Sequence, residues 1–134
     1  MSMKISIITV CYNSAFTIKD TLESVALQRY NDFEHLIIDG GSTDGTLEII
    51  RAWRGYPIRL ISEADEGIYD AMNKGLALAT GEIVGCLNSD DFYADSSVLT
   101  KIANTFQDES VDACYGDLVY VSQDSSRVVR YWRS

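Results

Sequence analysis

The chain has 134 residues, of which 46% are hydrophobic and 23% are charged, and this composition is typical of one globular domain. Its formal charge of −9 argues against a nucleic-acid partner, and no apolar run is long enough to cross a membrane. Cys11, Cys86 and Cys114 lie far apart in or beside apolar segments, so we expect reduced core cysteines in a cytoplasmic protein.

Strand and helix patterns alternate along the first half of the chain. The β-branched run 5–10 predicts a first strand, and the run 36–38 predicts a second strand that ends at Asp39. Ser14 is a candidate N-cap for the helix between them. The predicted inward-facing residues of this first helix are Ile18, Leu22 and Val25. A second helix follows the turn 40–45, and its predicted inward-facing residues are Leu47, Ile49, Ile50 and Trp53.

The alternation continues in the second half. The runs 58–61 and 83–87 predict a third strand and a buried central strand, and 111–115 and 118–121 predict two more. Gly81 stands where a left-handed C-terminal cap of the third helix is expected. The predicted inward-facing residues of the third and fourth helices are Met72, Leu76 and Ala79, then Leu99, Ile102, Ala103 and Phe106.

These alternating elements predict an α/β fold with a mostly parallel, Rossmann-like sheet flanked by helices, in a single domain over residues 1–134. The last segment fits less easily, because a turn at 124–126 precedes a strand-like run at 127–132 that no further helix covers. We therefore expect that the architecture continues beyond Ser134, or that a partner covers this edge, for example in an oligomer.

Three polar segments follow predicted strands at their C-terminal ends, where ligands bind in open α/β sheets. Thr9, Tyr12 and Asn13 lie at the end of the first strand and could stack on and hydrogen-bond a nucleobase. The glycine-rich turn 39–46 follows the second, and its backbone N–H groups favour anions. The segment 88–91 follows the central strand. A nucleotide site at this edge is therefore predicted.

Asp90 and Asp91 are adjacent acids at the end of the central strand. Carboxylate pairs suit Mg²⁺ or Mn²⁺, which commonly bind to one or two carboxylates together with a substrate phosphate. Taken alone, the pair is equally consistent with a turn that caps the next helix. Its position beside two other polar strand ends favours the metal site.

Four stretches together resemble glycosyltransferase family 2, whose members have the GT-A fold and use nucleotide sugars. They are residues 6–13, 38–46, 66–75, and 79–82 leading into 88–91. Their order and spacing are similar to the nucleotide-binding half of the family over nearly the whole chain. The nearest subgroup builds bacterial exopolysaccharide, O-antigen or glycolipid sugars, which implies a location in the cytoplasm or at the inner face of the membrane.

The resemblance implies a role for individual residues. Thr9 and Asn13 would lie on the nucleotide side, Asp39 and Ser42 in the turn that holds the base and ribose. The other implied residues are Asn73 and Lys74 beneath the nucleotide, and Asp90 and Asp91 as ligands of the metal that bridges the diphosphate. Asp90 is favoured as the first metal ligand because the motif's first acid is replaced by Asn88, a poor ligand.

The sequence also departs from the family pattern. Many members have two acids where this chain has Asp39 and Gly40, so one contact to the base is missing or is supplied by another residue. No carboxylate in a context like that of the family's general base follows Asp91, so we expect the general base beyond Ser134. The chain alone would then bind the donor without efficient transfer.

The implied function is metal-dependent transfer of a sugar, with inversion, from a nucleoside-diphosphate sugar to a saccharide or lipid-linked acceptor, with a UDP-sugar favoured. A nucleotide-sugar-binding module that is inactive on its own is the main alternative. A phosphoacceptor domain of the response-regulator type is less consistent, because it needs acids directly after the first strand. A dinucleotide dehydrogenase would need Gly-x-Gly-x-x-Gly at that position.

Overall fold

The computed structural model describes residues 3–114, 118–121 and 128–132. The chain divides into two compact units, residues 1–104 and 105–134. The elements in chain order are β1 (Ile5–Cys11), α1 (Ile18–Ala26), β2 (Phe33–Asp39), α2 (Thr46–Ala52), β3 (Arg59–Ser62), α3 (Ile68–Leu78), β4 (Ile83–Cys86), α4 (Val98–Thr105), β5 (Leu118–Val121) and β6 (Val128–Trp132).

The first unit is built on a four-stranded parallel sheet with the order β3-β2-β1-β4. In its register, Ile8 of β1 lies opposite Leu36 of β2 on one side and Cys86 of β4 on the other. β1 is buried along almost its whole length, which explains its nearly continuous apolar sequence. The predicted α/β architecture with a parallel sheet is confirmed.

Helices cover both faces of this sheet. On one face, Ile18 and Leu22 of α1 and Ile50 of α2 form a buried cluster with Ile37 of β2. On the other face, Ala71 of α3 packs with Ile8, Leu36 and Ile38, and these are all nearly inaccessible to solvent. Removal of this much aliphatic surface from water is the main stabilising contribution to such a core.

The inward face of α3 differs from the prediction. Leu76 is 52% exposed, and the helix instead buries Ala71 and Gly75. A Cβ atom placed on Gly75 would lie 2.7 Å from Cγ2 of Ile8, which shows how closely the helix approaches β1. Small residues allow that approach and a leucine does not, so the prediction from hydrophobic spacing was wrong for Leu76. Ala79 does pack against the core as expected.

Both predicted caps are wrong. Helix α1 begins after Thr17, and the Ser14 hydroxyl is paired with Ser89 at 2.7 Å instead of capping the helix. Gly81 does not have a left-handed conformation, because α3 has already ended in an extended residue, Ala79. Gly81 is needed for another reason: a Cβ atom there would lie 2.7 Å from the carbonyl oxygen of Lys4 in the backbone leading into β1.

β4 is an edge strand of the described sheet and not a fully buried central strand. Its exposure alternates, with Ile83 buried and Val84 41% exposed. Cys86 is also exposed, as is Cys114, so only Cys11 confirms the prediction of a core cysteine. All three cysteines are free thiols.

In the second unit, β5 and β6 pair in an antiparallel ladder with an irregularity between Tyr120 and Val121. This confirms strands within 118–121 and 127–132. Residues 111–114 are not in a strand, contrary to the prediction for 111–115. The predicted turn at 124–126 and Arg127 lie outside the described residues, as does Tyr115. In the part of the chain that the structure describes, no helix is both long and apolar enough to cross a membrane.

Candidate functional site

A cleft of about 450 Å³ opens beyond the carboxyl ends of β1 and β4. In the order β3-β2-β1-β4, the chain adds strands to one side of β1 and then crosses to the other, so this edge is a topological switch point where ligands bind in open α/β sheets. The volume falls within the range of small-molecule sites. The lining residues are Val10, Asn13, Ser14, Phe16, Thr17, Ile68, Asn88, Ser89 and Asp90.

The segment 88–91, which we call the acid loop, brings a carboxylate to this cleft. The backbone N–H of Asp91 donates a hydrogen bond to the carbonyl of Asn88 at 3.0 Å, which forms a tight turn. Asp90 at the turn is exposed and lines the cleft. Asp91 is partly buried: burial raises the pKa of its carboxyl group, the charge of Asp90 raises it further, and a hydrogen bond from Asn88 opposes both.

The acid loop fits a divalent cation that also binds a substrate phosphate. Two neighbouring carboxylates repel each other, and a cation would relieve the repulsion that raises the pKa of Asp91. Among the described residues, no group of three or more His, Cys, Asp or Glu side chains could hold a metal ion. A cage made of protein ligands alone is therefore absent from that part of the chain. Mg²⁺ and Mn²⁺ sites on phosphate substrates commonly have only one or two carboxylates.

Asn13 and Ser42 connect the loops that follow β1 and β2. The backbone N–H of Asn13 donates to the Ser42 hydroxyl at 2.8 Å, and the Asn13 side-chain oxygen accepts from the N–H of Thr43 at 2.8 Å. Asn13 has a φ of 49°, an uncommon value for a residue other than glycine. These bonds explain the conformation, and Asn13 also lines the cleft.

Asp39 is buried, and its carboxylate organises the turn after β2. One oxygen accepts from the N–H groups of Gly41 and Ser42 at 3.0 and 2.9 Å and from the Ser62 hydroxyl at 2.9 Å. The other accepts from the Ser42 hydroxyl at 2.5 Å and the Cys11 thiol at 3.2 Å. Burial raises the pKa of Asp39, but the bonds from Ser42, Cys11 and Ser62 outweigh it and lower the pKa overall.

These five donors occupy the roughly four lone-pair positions of the Asp39 carboxylate. A nucleobase N–H could bind there only if a donor such as the Ser42 hydroxyl turned away. The contact from Asp39 to the base therefore stays a prediction.

Thr9 and Tyr12 differ sharply in accessibility. Thr9 is fully buried, and its hydroxyl lies 2.7 Å from Nε2 of His35, whose Nδ1 lies 2.8 Å from the Tyr56 hydroxyl. Burial lowers the pKa of His35 to about 3, so the ring is neutral and structural, as expected for a sheet histidine. Tyr12 is 62% exposed and does not line the cleft. Nucleotide contacts by Thr9 and Tyr12 stay predictions.

Lys74 lies in α3 and holds the loop after β3. Its ammonium group is 3.1 Å from a carboxylate oxygen of Glu63 and 3.5 Å from one of Asp70. The hydrogen bond to Glu63 and the charges of Asp70 and Glu63 raise the pKa of Lys74, against the effect of burial. Neither Lys74 nor the exposed Asn73 lines the cleft, whereas Ile68 at the start of α3 does. Their contact with a nucleotide stays a prediction.

Cleft residues that were not anticipated from the sequence as ligand contacts include Ser14, which was predicted only as a helix cap, and Phe16, Thr17 and Ile68. Phe16 is 93% exposed and Ile68 is 49% exposed. In the sequence, Phe16 stands between a predicted strand and a predicted helix and is not part of the regular apolar face of that helix. This position is the signal that could have indicated it. Ile68 belongs to the stretch 66–75, in which the resemblance implies roles only for Asn73 and Lys74.

An open parallel sheet with a polar, partly acidic cleft at its switch point is an arrangement common among nucleotide-binding α/β proteins. The family model described as "Glycosyl transferase family 2" matches residues 6–134. The chain therefore belongs to glycosyltransferase family 2.

Relatives of this chain are also glycosyltransferases by name. The PGL/p-HBAD biosynthesis glycosyltransferase of Mycobacterium bovis is 37% identical over 118 residues, covering 85% of this chain and 46% of the relative. An uncharacterised glycosyltransferase of Nostoc is 37% identical over 112 residues, covering 81% and 34%. The chain spans less than half the length of these curated relatives.

Solved structures give the same fold. S. aureus TarS 1-349 in complex with UDP-GlcNAc has a TM-score of 0.76 and 30% identity, covering 82% of this chain and 33% of that one. The mannosyltransferase PcManGT from Pyrobaculum calidifontis, in complex with GDP-Man and Mn²⁺, has a TM-score of 0.72 and 27% identity, covering 91% and 36%. The first unit is thus the Rossmann-like sheet of the GT-A fold.

Proposed function

We propose that this chain binds the donor for a glycosyltransferase that transfers a sugar from a nucleoside-diphosphate sugar to a saccharide or lipid-linked acceptor, with inversion. The observation that carries the proposal is the position of Asp90 in the switch-point cleft, beside Asn13 and Ser14. A diphosphate is a doubly or triply charged anion, and a chain with a formal charge of −9 needs local help to hold it. A cation on the acid loop would supply that help.

Asp90 and Asp91 would hold the divalent cation, Mn²⁺ or Mg²⁺. Asp90 is favoured as the first ligand because it is exposed in the cleft, whereas Asp91 is partly buried. A bound cation would offset the negative charge that develops on the leaving nucleoside diphosphate. The residues around Asp90 have a different task, which is to exclude water and orient the donor. Phe16 and Ile68 supply apolar surface for this, and Thr17 and Ser14 supply hydroxyl groups.

The ligands named for the structural relatives support a nucleoside-diphosphate sugar as the donor class. One relative was solved with UDP-GlcNAc and another with GDP-Man and Mn²⁺. A UDP-sugar is favoured for this chain because the TarS structures have the higher identity. A role in bacterial cell-surface polysaccharide or glycolipid synthesis, in the cytoplasm or at the inner face of the membrane, is proposed from the resemblance and from the named mycobacterial relative.

Calorimetric titration with UDP, GDP and dTDP, each with and without Mn²⁺, tests the donor proposal. We expect one of the three to bind, with affinity increased by Mn²⁺. Asp90→Asn should reduce the effect of Mn²⁺ at least tenfold, because an amide is a much poorer metal ligand than a carboxylate. Asp91→Asn should have a smaller effect. The matched control is Glu82→Gln, an exposed acid at the opposite end of β4.

The donor proposal fails if a folded sample binds none of the three nucleotides with Mn²⁺ present. The metal assignment fails separately if Asp90→Asn responds to Mn²⁺ like the parent.

A binding module without transfer activity is the second candidate. Glu63, the acid that follows β3, does not line the cleft and is paired with Lys74, so it is poorly suited to act as a general base. Incubation of the chain with nucleotide sugars and acceptor saccharides, followed by mass spectrometry, distinguishes the two. A new glycosidic product that requires the metal indicates the enzyme, and donor binding without product indicates the module.

A further inference from the structure

Helix α1 has a polar stripe on its buried side. Thr21, Ser24 and Gln28 are 0%, 8% and 6% exposed, and they follow one another at spacings of three and four residues. Thr21 and Ser24 lie on one face of α1, beside the apolar residues Ile18 and Leu22, and Gln28 follows just after the helix has ended at Ala26. Buried polar groups require hydrogen-bond partners, so this stripe must serve a segment that packs on it.

That segment is the chain that leaves β4. The Thr21 hydroxyl lies 3.1 Å from the carbonyl oxygen of Ser89 and 2.5 Å from that of Asp91. These are the carbonyl groups on either side of Asp90. The Ser89 side chain is held in turn, because its hydroxyl lies 2.7 Å from that of Ser14. Both residues that flank Asp90 are therefore bonded to the region of α1, while the Asp90 side chain remains in the cleft.

The stripe continues in the same way at Ser24 and, just beyond the end of the helix, at Gln28. The Ser24 hydroxyl accepts from the N–H of Tyr93 at 3.1 Å. The Gln28 side-chain amide donates to the carbonyl of Asp95 at 2.6 Å and accepts from the N–H of Leu99 at 3.0 Å. Two side chains of α1 and that of Gln28 just after it thus satisfy backbone groups along residues 89–99, which the sheet does not reach.

We infer that Thr21 is a positioning residue for the metal-binding carboxylates, and this inference rests on the proposed function. Its single hydroxyl proton is shared between the carbonyl oxygens of Asp91, the nearer, and Ser89, so it holds the backbone before and after Asp90. The conformation of that backbone determines where the Asp90 carboxylate points. Small divalent cations require nearly ideal ligand geometry, and groups that orient metal ligands often change metal affinity about 10–100-fold when removed. Loss of the Thr21 hydroxyl should therefore weaken metal binding before it affects contacts with the nucleoside.

Thr21→Val tests the inference, because valine has the shape of threonine without the hydroxyl group. We expect the Mn²⁺ concentration that gives half-maximal nucleotide binding to rise about tenfold. Nucleotide binding without metal should stay within about twofold of the parent, since no contact in the cleft is removed. Thr21→Ser, which keeps the hydroxyl, should have a Mn²⁺ requirement close to that of the parent.

Ser6→Ala is the matched control, because Ser6 is also fully buried and its hydroxyl bonds to Glu34, but it lies at the opposite end of β1. We expect it to lower the melting temperature and leave the Mn²⁺ requirement unchanged. Should Thr21→Val fail to fold, Ser24→Ala takes its place, with a rise of about threefold expected. Ser24 loses its bond within the helix, to the Thr21 carbonyl, and its one bond to the segment after β4, from the N–H of Tyr93.

The outcomes separate the two proposals. If the parent binds nucleotide with Mn²⁺ and the hydroxyl-deleted variant has the same Mn²⁺ requirement, the positioning role is overturned and the proposed function stands. If the folded parent shows no binding that depends on metal, the proposed function is overturned and the positioning role falls with it. A raised Mn²⁺ requirement that serine restores supports both.

Discussion

Asp39→Asn should destabilise the protein by an amount that the geometry of the turn after β2 allows us to estimate. The substitution keeps the shape of the side chain, but it removes the negative charge and replaces one acceptor oxygen with an amide NH₂ group. If the remaining oxygen takes the position that accepts from Gly41, Ser42 and Ser62, three of the hydrogen bonds survive as neutral bonds. The NH₂ group then faces the Ser42 hydroxyl, which can turn to accept.

The magnitude follows from the loss of charge. A hydrogen bond to a charged group contributes about 1.5–3 kcal/mol and a neutral one about 0.5–1.5 kcal/mol, so each surviving bond loses about 1 kcal/mol. Removal of a buried charge offsets part of the total, which leaves about 2 kcal/mol. For a chain of this size, that corresponds to a melting temperature lower by about 8 °C.

Thermal and urea unfolding measure the effect, with Asp112→Asn at an exposed position as the control. The pKa of Asp39 is lowered in the folded state from its usual 3.8, so its contribution is present above pH 3.8 and is lost as the pH falls through the folded value. The difference in the free energy of unfolding between parent and variant should therefore decrease as the pH falls below 3.8. A melting temperature within 2 °C of the parent at pH 7 would refute the account of this turn.

Two further perturbations test other parts of the fold. Gly81→Ala should lower the free energy of unfolding by about 2 kcal/mol, because its Cβ would lie 2.7 Å from the carbonyl oxygen of Lys4. Gly85→Ala is the control and should be nearly neutral, because a Cβ there meets nothing within 4 Å. Equal losses of stability for the two variants in urea titration would contradict the packing argument. Stability should also fall as the pH is lowered below 6.5, because His35 stays neutral in the folded state, with its pKa lowered to about 3, while the unfolded chain binds the proton. His35 is the only histidine, so His35→Gln should reduce the change of the urea midpoint between pH 7 and pH 5. If the midpoint of the variant changes with pH as much as that of the parent, His35 is not the group responsible.

The sequence predicted the sheet well because parallel strands carry their own signal. The runs in β1 and β2 are buried on both faces, so they appear as continuous apolar segments. The polar residues that follow the strands were expected at one edge of the sheet, and the cleft includes Asn13, which follows β1, and Asp90, which follows β4. This much follows from strand direction alone, since parallel strands end at the same edge.

The predictions for Leu76 and Ser14 were wrong because contacts with residues distant in sequence determine the positions of side chains there. Hydrophobic spacing favoured Leu76 on the inner face of α3, but the close approach to β1 selects Ala71 and Gly75. Ser14 has the composition of a helix cap, yet its hydroxyl bonds to Ser89, which is distant in sequence. A propensity describes what a residue does in its own segment, so it cannot report a partner 75 positions away.

The strands do not by themselves explain how the acid loop is held. β4 ends at Cys86, and the last ladder-like bond runs from the N–H of Leu87 to the carbonyl of Ile8. Asp90 lies three residues further on, where the sheet supplies no hydrogen bonds. The position of its carboxylate must therefore be set by another element, and the hydroxyl of Thr21 on α1 contacts the carbonyl groups on both sides of it. In this fold, the sheet determines which residues reach the switch-point cleft, and the polar stripe of the first helix determines how the acid loop is oriented there.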